Sequence, residues 1–515
     1  MRRVEVAIVG AGFAGIGMAL ALRRAGHDDF VVLERGSSVG GTWRDNTYPG
    51  IACDVPSHLY GFASHPHPDW SGVFARGDEI RSYLERIAAS ESLPVELETA
   101  LTGAEWTGDG WRLRTPRGDL EAQALVLACG RLTEPTVPDI PGLEGFAGPL
   151  FHSARWDHSV KLAGARIGVV GTGASAVQIV PELVRRGAHV TLLQRTPAWI
   201  VPREARDYTD AERRAFAADP DALARLRSEL FDEGEARFAS RSGDPDAAAV
   251  ARRRAEAHLA AQVPDAALRA ALTPDYAFGC KRVLLSDDFY PAVTSDAVTL
   301  EASALASVEG STLVAASGAR HEVDVLVLAT GFASSQQPYA DLVRGEEGTL
   351  AEHWSGGMTS FASTVVAGFP NLFVLDGPNA SLGHNSSILM IEEQAEYVVR
   401  SLARRRPGRP LRVRPDAEAG YTEEIARAAA STPWLTGGCR NWYVDERSGR
   451  LTLLWPGTVV AFRERLARAD GSEFLVPHDP ASRDDGEPGD ASPEDPDTTS
   501  AERDAQPVGA TRSTA

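Results

Sequence analysis

Two glycine-rich turns are the segments best equipped for chemistry. The first is Gly10-Ala11-Gly12-Phe13-Ala14-Gly15, and the second is Gly171-Thr172-Gly173-Ala174-Ser175-Ala176. Such a turn, set between an apolar strand and a helix, lets the backbone close on a pyrophosphate. The helix N-terminus adds free N–H groups and the positive end of its dipole. With 48 glycines in 515 residues, a bare GxGxxG would occur roughly 0.4 times by chance, so the context has to carry the reading. Glu34 follows Gly10 by 24 positions, the distance at which an acid reaches a ribose, and Arg35 is next to it. Arg195, followed by Thr196, stands 24 positions after Gly171. An acid there would repel a 2′-phosphate, whereas an arginine pairs with one. The second turn therefore reads as a site for NADPH rather than NADH, the alternative being a surface arginine in an arginine-rich chain. Two such turns imply two dinucleotides, or one and a relic; FAD with NADPH is the commonest pairing.

The elements that must hold these turns are legible nearby. Residues 4–9 form a continuously apolar run ahead of the first turn, an Ala/Leu-rich helix reaches about Arg24, and Phe30-Val31-Val32-Leu33 makes the next strand. The unit returns after the second turn: Ile167–Val170, a helix to about Arg186, and a strand from His189 to Leu193. A further echo pairs residues 124–130 with 325–331, each a buried strand ending in a small-residue turn. The charged, Ala-rich stretch at about 208–271 has helical spacing and reads as a helical insertion. Residues 133–141 read as an extended linker, and one further helix is expected from about Ile388 to Arg404. The fold expected is α/β with two dinucleotide-binding, Rossmann-like domains. The organisation expected is a first flavin part at 1–145, a nucleotide domain at 146–332 carrying the insertion, a second flavin part at 333–477, and a disordered acidic tail at 478–515.

Composition narrows the function classes. The net charge is −19, which argues against a nucleic-acid binder. No apolar run is long enough for a membrane helix, and the N-terminus lacks a signal-peptide layout, so a cytoplasmic protein is expected. The cysteines, Cys53, Cys129, Cys280 and Cys439, form no CxxC pair. A zinc site or a redox-active dithiol is not expected, no metal is assigned, and a reducing compartment fits. Lysine occurs only at positions 161 and 281, which singles out Lys281.

Phe146-Ala147-Gly148-Pro149-Leu150-Phe151-His152-Ser153-Ala154-Arg155-Trp156-Asp157 matches the FxGxxxHxxxW(P/D) fingerprint of the Baeyer–Villiger monooxygenases, just before the second glycine turn. Other segments resemble that family: Gly40-Gly41-Thr42-Trp43, Tyr48-Pro49-Gly50 and Cys53-Asp54-Val55-Pro56-Ser57 with Tyr60 on the flavin side; Gly279-Cys280-Lys281-Arg282; and Ala329-Thr330-Gly331-Phe332. Gly377-Pro378-Asn379, Gly383-His384-Asn385 and Gly438-Cys439-Arg440-Asn441-Trp442-Tyr443 look like its C-terminal flavin-domain loops. The resemblance spans about residues 4–460.

The resemblance implies an oxidoreductase in which NADPH reduces FAD, and O2 adds to the reduced flavin as a peroxide that attacks a ketone to give an ester or lactone. It implies Arg282 as the cation beside the developing negative charge, where a preorganised charge lowers the barrier, and Asp54 as the carboxylate orienting it. Lys281 would join Arg195 on the 2′-phosphate. His152, at the junction between cofactor domains, would serve domain motion or cofactor positioning. Trp442 and Tyr443 would either line the nicotinamide or substrate side or pack in the core. The alternative activity is N- or S-oxygenation by a flavin monooxygenase, which needs no such arginine. Without a CxxC after the first turn, a disulfide reductase is disfavoured. The ketone's identity and the oligomeric state are open at this level.

Overall fold

The two glycine turns leave the carboxyl ends of parallel strands in two β-sheets, and the hydrogen bonds around them repeat. The computed structural model describes residues 1–406 and 408–475; the acidic tail at 478–515 lies outside the described residues. In the first sheet the strand Arg2–Val9 lies between Phe30–Leu33 and Leu120–Leu127, all parallel. In the second, Arg166–Val170 lies between His189–Leu193 and Val325–Leu328, again parallel. The Gly10 amide donates to the Leu33 carbonyl at 2.8 Å, and Gly171 to Leu193 at 3.0 Å. The Ala128 amide donates to Val9 and Ala329 to Val170, both at 2.9 Å. The internal repeat is thus a repeat of fold.

This geometry requires glycine at the turn. Gly10 has φ +106° and Gly171 φ +107°, a region that disfavours side chains. A Cβ at Gly10 would lie 2.4 Å from the Ala128 carbonyl oxygen, and one at Gly171 would lie 2.5 Å from that of Ala329. Gly15 acts differently. Its Cβ would fall 1.8 Å from the Gly10 oxygen, so it lets the helix Phe13–Arg24 pack against the turn.

The first sheet has eight strands. The hairpin Gly103–Trp106 and Trp111–Arg114 adds antiparallel to the N-terminal half of Leu120–Leu127, and the much later strand Leu372–Val374 adds parallel to its C-terminal half. The chain therefore returns to its first sheet after completing the second. Helices Phe13–Arg24, Gly77–Ser90, Ser387–Leu402 and Val459–Ala467 bury their apolar faces in the core over this sheet. The second sheet has five strands, with Leu150–His152 at one edge and Val298–Glu301 at the other. A three-stranded meander, Leu305–Glu309, Thr312–Ala315 and Arg320–Glu322, stands beside it. The sequence patterning did not reveal this meander or the 103–114 hairpin, because their strands are short and half exposed.

The insertion folds as five helices, from Asp210–Ala218 to Ala266–Ala271. Thr209, Asp219, Asp244 and Asp265 cap four of them by accepting from free backbone amides. Glu235 fastens it to the first sheet's side. The carboxylate accepts from Asn385 Nδ2 and from the Val459 and Val460 amides, each at 3.1 Å. A carboxylate at the first turn of Val459–Ala467 also complements that helix's dipole.

The expectation of reduced cysteines is corrected at one pair. Cys280 and Cys439 form a disulfide, while Cys53 and Cys129 are free. The lack of a CxxC excludes only a local dithiol. Residues 159 apart in sequence meet here because the Ala277 amide donates to the Gly437 carbonyl at 2.9 Å, docking the two loops. Among the described residues no helix is long and apolar enough to cross a membrane, and no group of acids, histidines and cysteines is placed to hold a metal.

Gly10→Val should give a protein that purifies without flavin or fails to fold, since the side chain meets both a positive φ and the Ala128 carbonyl. Absorbance at 450 nm against protein concentration checks this. A yellow variant with an ordinary flavin spectrum would place the flavin elsewhere.

Candidate active site

A cavity of about 1150 Å³ runs between the two sheets and touches both glycine turns. The helices that follow the turns, Phe13–Arg24 and Ala174–Arg185, have no capping side chain at their N-termini. Their first amides are therefore free to bind an anion. Gly10, Gly12, Phe13, Ala14, Gly171, Thr172, Gly173, Ala174 and Ser175 line the cavity, as do Glu34, Arg35, Arg195, Thr196, Lys281 and Arg282. Gly41, Thr42, Trp43, Asp54, Tyr60, Ala329, Thr330 and Gly331 complete the set of expected residues found there. Gly15 is absent from the lining, which agrees with its packing role.

On the first-sheet side, Glu34 is buried and bridges the turn. Its carboxylate accepts from the Ala11 amide at 2.8 Å, the Gly36 amide at 2.7 Å and Arg44 Nη1 at 2.6 Å. Arg44 also reaches Asp45 at 2.7 Å. The sequence reading missed Arg44, although it directly follows the recognised Gly41-Thr42-Trp43. Trp43 Nε1 donates to the Tyr60 hydroxyl at 3.2 Å, fixing two aromatic rings of the wall.

On the second-sheet side, Lys281 and Arg195 both line the cavity. Burial, and then the like charge of Arg195, lower the Lys281 pKa. The Lys281 ammonium also stands 4.9 Å over the Tyr276 ring. Two cations held together beside an anion-binding helix end suit a ligand with an additional phosphate.

Between the two sides stands Arg282. Its Nε and Nη2 donate to one oxygen of Asp54, Oδ2, at 3.0 and 2.5 Å. Each side chain keeps 30% of its surface, and both line the cavity. Asp54 raises the Arg282 pKa further, so this cation persists at any pH the fold survives. Burial opposes ionisation of Asp54, but Arg282 and then Arg203 outweigh it and hold the carboxyl below its usual range. Arg203 itself donates to the Cys53 carbonyl at 2.7 Å, anchoring the residue before Asp54. Tyr443 lies beside the Arg282 guanidinium but is buried in a satellite core, whereas Trp442 reaches the cavity.

The fingerprint residues stand behind the cavity wall. Phe146 is buried in the core under the meander, and a Cβ at Gly148 would strike the Asp324 carbonyl at 2.2 Å. Trp156 packs edge-on against Phe151 at 5.0 Å. His152 Nδ1 accepts from the Ala154 amide at 3.1 Å, and its ring lies 5.7 Å from that of Phe332. Burial drives its pKa down to about 4, so the ring is neutral near pH 7. The Thr330 hydroxyl donates to the Thr136 carbonyl at 2.6 Å, and the Thr136 amide to Gly331 at 2.9 Å. The fingerprint and the 133–141 linker thus brace the Ala329–Phe332 turn from two sides.

A family model described as pyridine nucleotide-disulphide oxidoreductase matches residues 7–210, which include both glycine turns. A Baeyer–Villiger monooxygenase of Streptomyces coelicolor is 46% identical, with 92% of each chain covered. One of Pseudomonas aeruginosa is 40% identical over 92% of this chain and 91% of its own. The chain belongs to the Baeyer–Villiger monooxygenases. A solved structure of a cyclohexanone monooxygenase from Rhodococcus bound to NADP+ superposes with a TM-score of 0.82 at 27% identity, over 92% of this chain and 99% of that one. Within this Baeyer–Villiger monooxygenase, the expected residues from both halves of the sequence converge on one cavity.

Arg195→Ala should raise the apparent constant for NADPH about 10- to 100-fold, the loss of one charged hydrogen bond, and barely alter that for NADH. Steady-state rates with both coenzymes check this. Equal losses for the two would give Arg195 another task.

Proposed function

We propose that this chain converts a small-molecule ketone into an ester or lactone, using NADPH, FAD and O2, with Arg282 as the cation of the reaction and Asp54 as its orienting carboxylate. The observation that carries the reading is the Arg282–Asp54 pair, facing a cavity between two uncapped, glycine-lined helix N-termini. The residues present fit both cofactors. Gly10, Gly12, Phe13 and Ala14 would hold the FAD pyrophosphate, with Glu34 at its ribose. Gly171 to Ser175 would hold the NADPH pyrophosphate, with Arg195, Thr196 and Lys281 at its 2′-phosphate. When bound, FAD and NADPH would supply hydride transfer and the activation of O2 for insertion. In this reading residues 1–145 and 333–475 serve the flavin, and 146–332 serve NADPH.

The chain's own groups then have definite tasks. Oxygen insertion builds negative charge on the ketone's carbonyl oxygen. The Arg282 guanidinium, already oriented by Asp54, meets that charge without reorganising. Because the Arg282 Nε and Nη2 bonds go to a single Asp54 oxygen, the guanidinium keeps N–H groups that this carboxylate does not take. His152 is neutral and engaged with backbone, so it serves as a brace rather than a proton carrier. Trp43, Tyr60 and Trp442 narrow the cavity and exclude water. A cytoplasmic location suits a consumer of NADPH.

Arg282→Ala should keep its fold and FAD and still oxidise NADPH, releasing hydrogen peroxide. Ester formation should fall roughly 100- to 1000-fold, the usual loss for one preorganised charge contact. Lysine should rescue little, since a point charge does not reproduce the planar fork. Ester per NADPH oxidised, with peroxide counted separately, checks this. Undiminished ester from Arg282→Ala would make the arginine structural. Sulfoxides or hydroxylamines without ester from any ketone in the wild type would establish the alternative oxygenation.

A further inference from the structure

Arg131 is a charged residue of the cavity that the reading above leaves without a task. It follows Gly130, which has φ +70°, just beyond the carboxyl end of the strand Leu120–Leu127. The neighbouring parallel strand Leu372–Val374 pairs Val374 with Leu127, and the Leu375 amide donates to the Leu127 carbonyl at 2.9 Å. Asp376 therefore leaves its strand at the level of Arg131. Arg131 Nη1 donates to Asp376 Oδ1, and Nη2 points to the Ser387 hydroxyl at a long 3.4 Å. Both members of the pair line the cavity with Arg282, and their side chains are only 12% and 14% exposed.

Three features show that this pair is more than a strap. Asp376 is a non-glycine residue at φ +53°, a conformation that costs energy and persists only where the surroundings impose it. Its amide is held by Gln394 Oε1 at 3.0 Å, so the strained backbone presents the carboxylate to Arg131. Next, Arg131 Nε is buried and has no acceptor among the described residues. A buried charged donor without a partner is expensive, so the guanidinium's charge is only partly met within the protein. Finally, Arg131 and Arg282 are close enough to sense one another. Burial, and then the Arg282 charge, bring the Arg131 pKa down to about 10, which leaves it protonated near pH 7.

We propose that Arg131, aimed by Asp376, is a second cation of the reaction cavity and meets the same developing oxyanion as Arg282. The cavity then holds two Arg–Asp pairs of like construction. One, Arg282 with Asp54, spans the two sheets' sides. The other, Arg131 with Asp376, is built wholly on the first sheet. All four residues line the cavity, so each guanidinium reaches it beside its own carboxylate and the pairs remain near neutral. This proposal rests on the ketone-oxidising reading, but the charge it assigns to the cavity can be measured without turnover.

The probe is 4-nitrophenol bound to the oxidised, FAD-loaded enzyme, an oxyanion mimic whose ionised form absorbs near the visible edge. Wild type should bind it as the phenolate. Arg131→Met should weaken phenolate binding about 10-fold or more, as loss of a charged hydrogen bond does. The double variant R131M/D376N removes both charges, so no buried carboxylate is stranded, and it should show the same loss with FAD and thermal midpoint retained. In turnover, both variants should lower ester per NADPH about 10- to 100-fold, through kcat rather than ketone KM. Phenolate binding by R131M/D376N equal to wild type, or no phenolate binding by wild type, would overturn the proposal. If no ketone yields ester in wild type while R131M/D376N still loses phenolate binding, the reaction assignment fails and the second cation stands.

Discussion

The Arg282–Asp54 pair is the interaction around which the site is arranged. It joins a loop of the first sheet's side to a segment of the second sheet's side, residues 228 apart in sequence. A guanidinium needs a carboxylate beside it to enter a cavity walled by Trp43, Tyr60 and Trp442, because an unpaired charge there would lose its hydration without return. The same carboxylate fixes which edge of the guanidinium faces inward. Arg203, bound to the Cys53 carbonyl, steadies the loop that carries Asp54, and the Cys280–Cys439 disulfide holds the residue two before Arg282 against the 437–443 loop. The pair is thus anchored from both ends.

The rest of the chain holds the two sheets' carboxyl ends at a fixed separation across this pair. The late strand Leu372–Val374 returns to the first sheet and carries Asp376 to the cavity rim. The helical insertion reaches over and is fastened by Glu235 to the start of Val459–Ala467. Behind the second glycine turn, the 133–141 linker braces Ala329–Phe332 by neutral backbone bonds, and His152 packs on Phe332. Such bonds do not depend on pH near neutrality, which suits elements that must hold shape while charge changes in front of them.

Much of this was legible in the sequence. The glycine turns and their strands were readable because only glycine permits φ near +106° with a carbonyl 2.4 Å from the would-be Cβ, and because a buried parallel strand is apolar throughout. The Gly279–Arg282 and Cys53–Ser57 segments pointed to Arg282 and Asp54 through resemblance, and the structure brings those two side chains together. What escaped were pairings set by the docking of loops. The Cys280–Cys439 bond, Arg44 on Glu34 and Arg131 on Asp376 depend on how loops dock, which no local period encodes. Among 50 arginines, nothing local marks those that face a cavity. The short strands at 103–114 and 305–322 escaped because half-exposed segments of three to five residues carry little alternation.

A double-mutant cycle on ester formation reads whether Arg282 acts in concert with Asp54. Arg282→Ala, Asp54→Ala and the double variant are compared with wild type by ester per NADPH at saturating ketone, in proteins shown to retain FAD. If the carboxylate works only by orienting the guanidinium, the double variant should be no worse than Arg282→Ala alone, within about threefold, because the two residues form one unit. Losses that multiply, with the double variant falling by the product of the two single effects, would show that Asp54 and Arg282 act independently and would contradict the account.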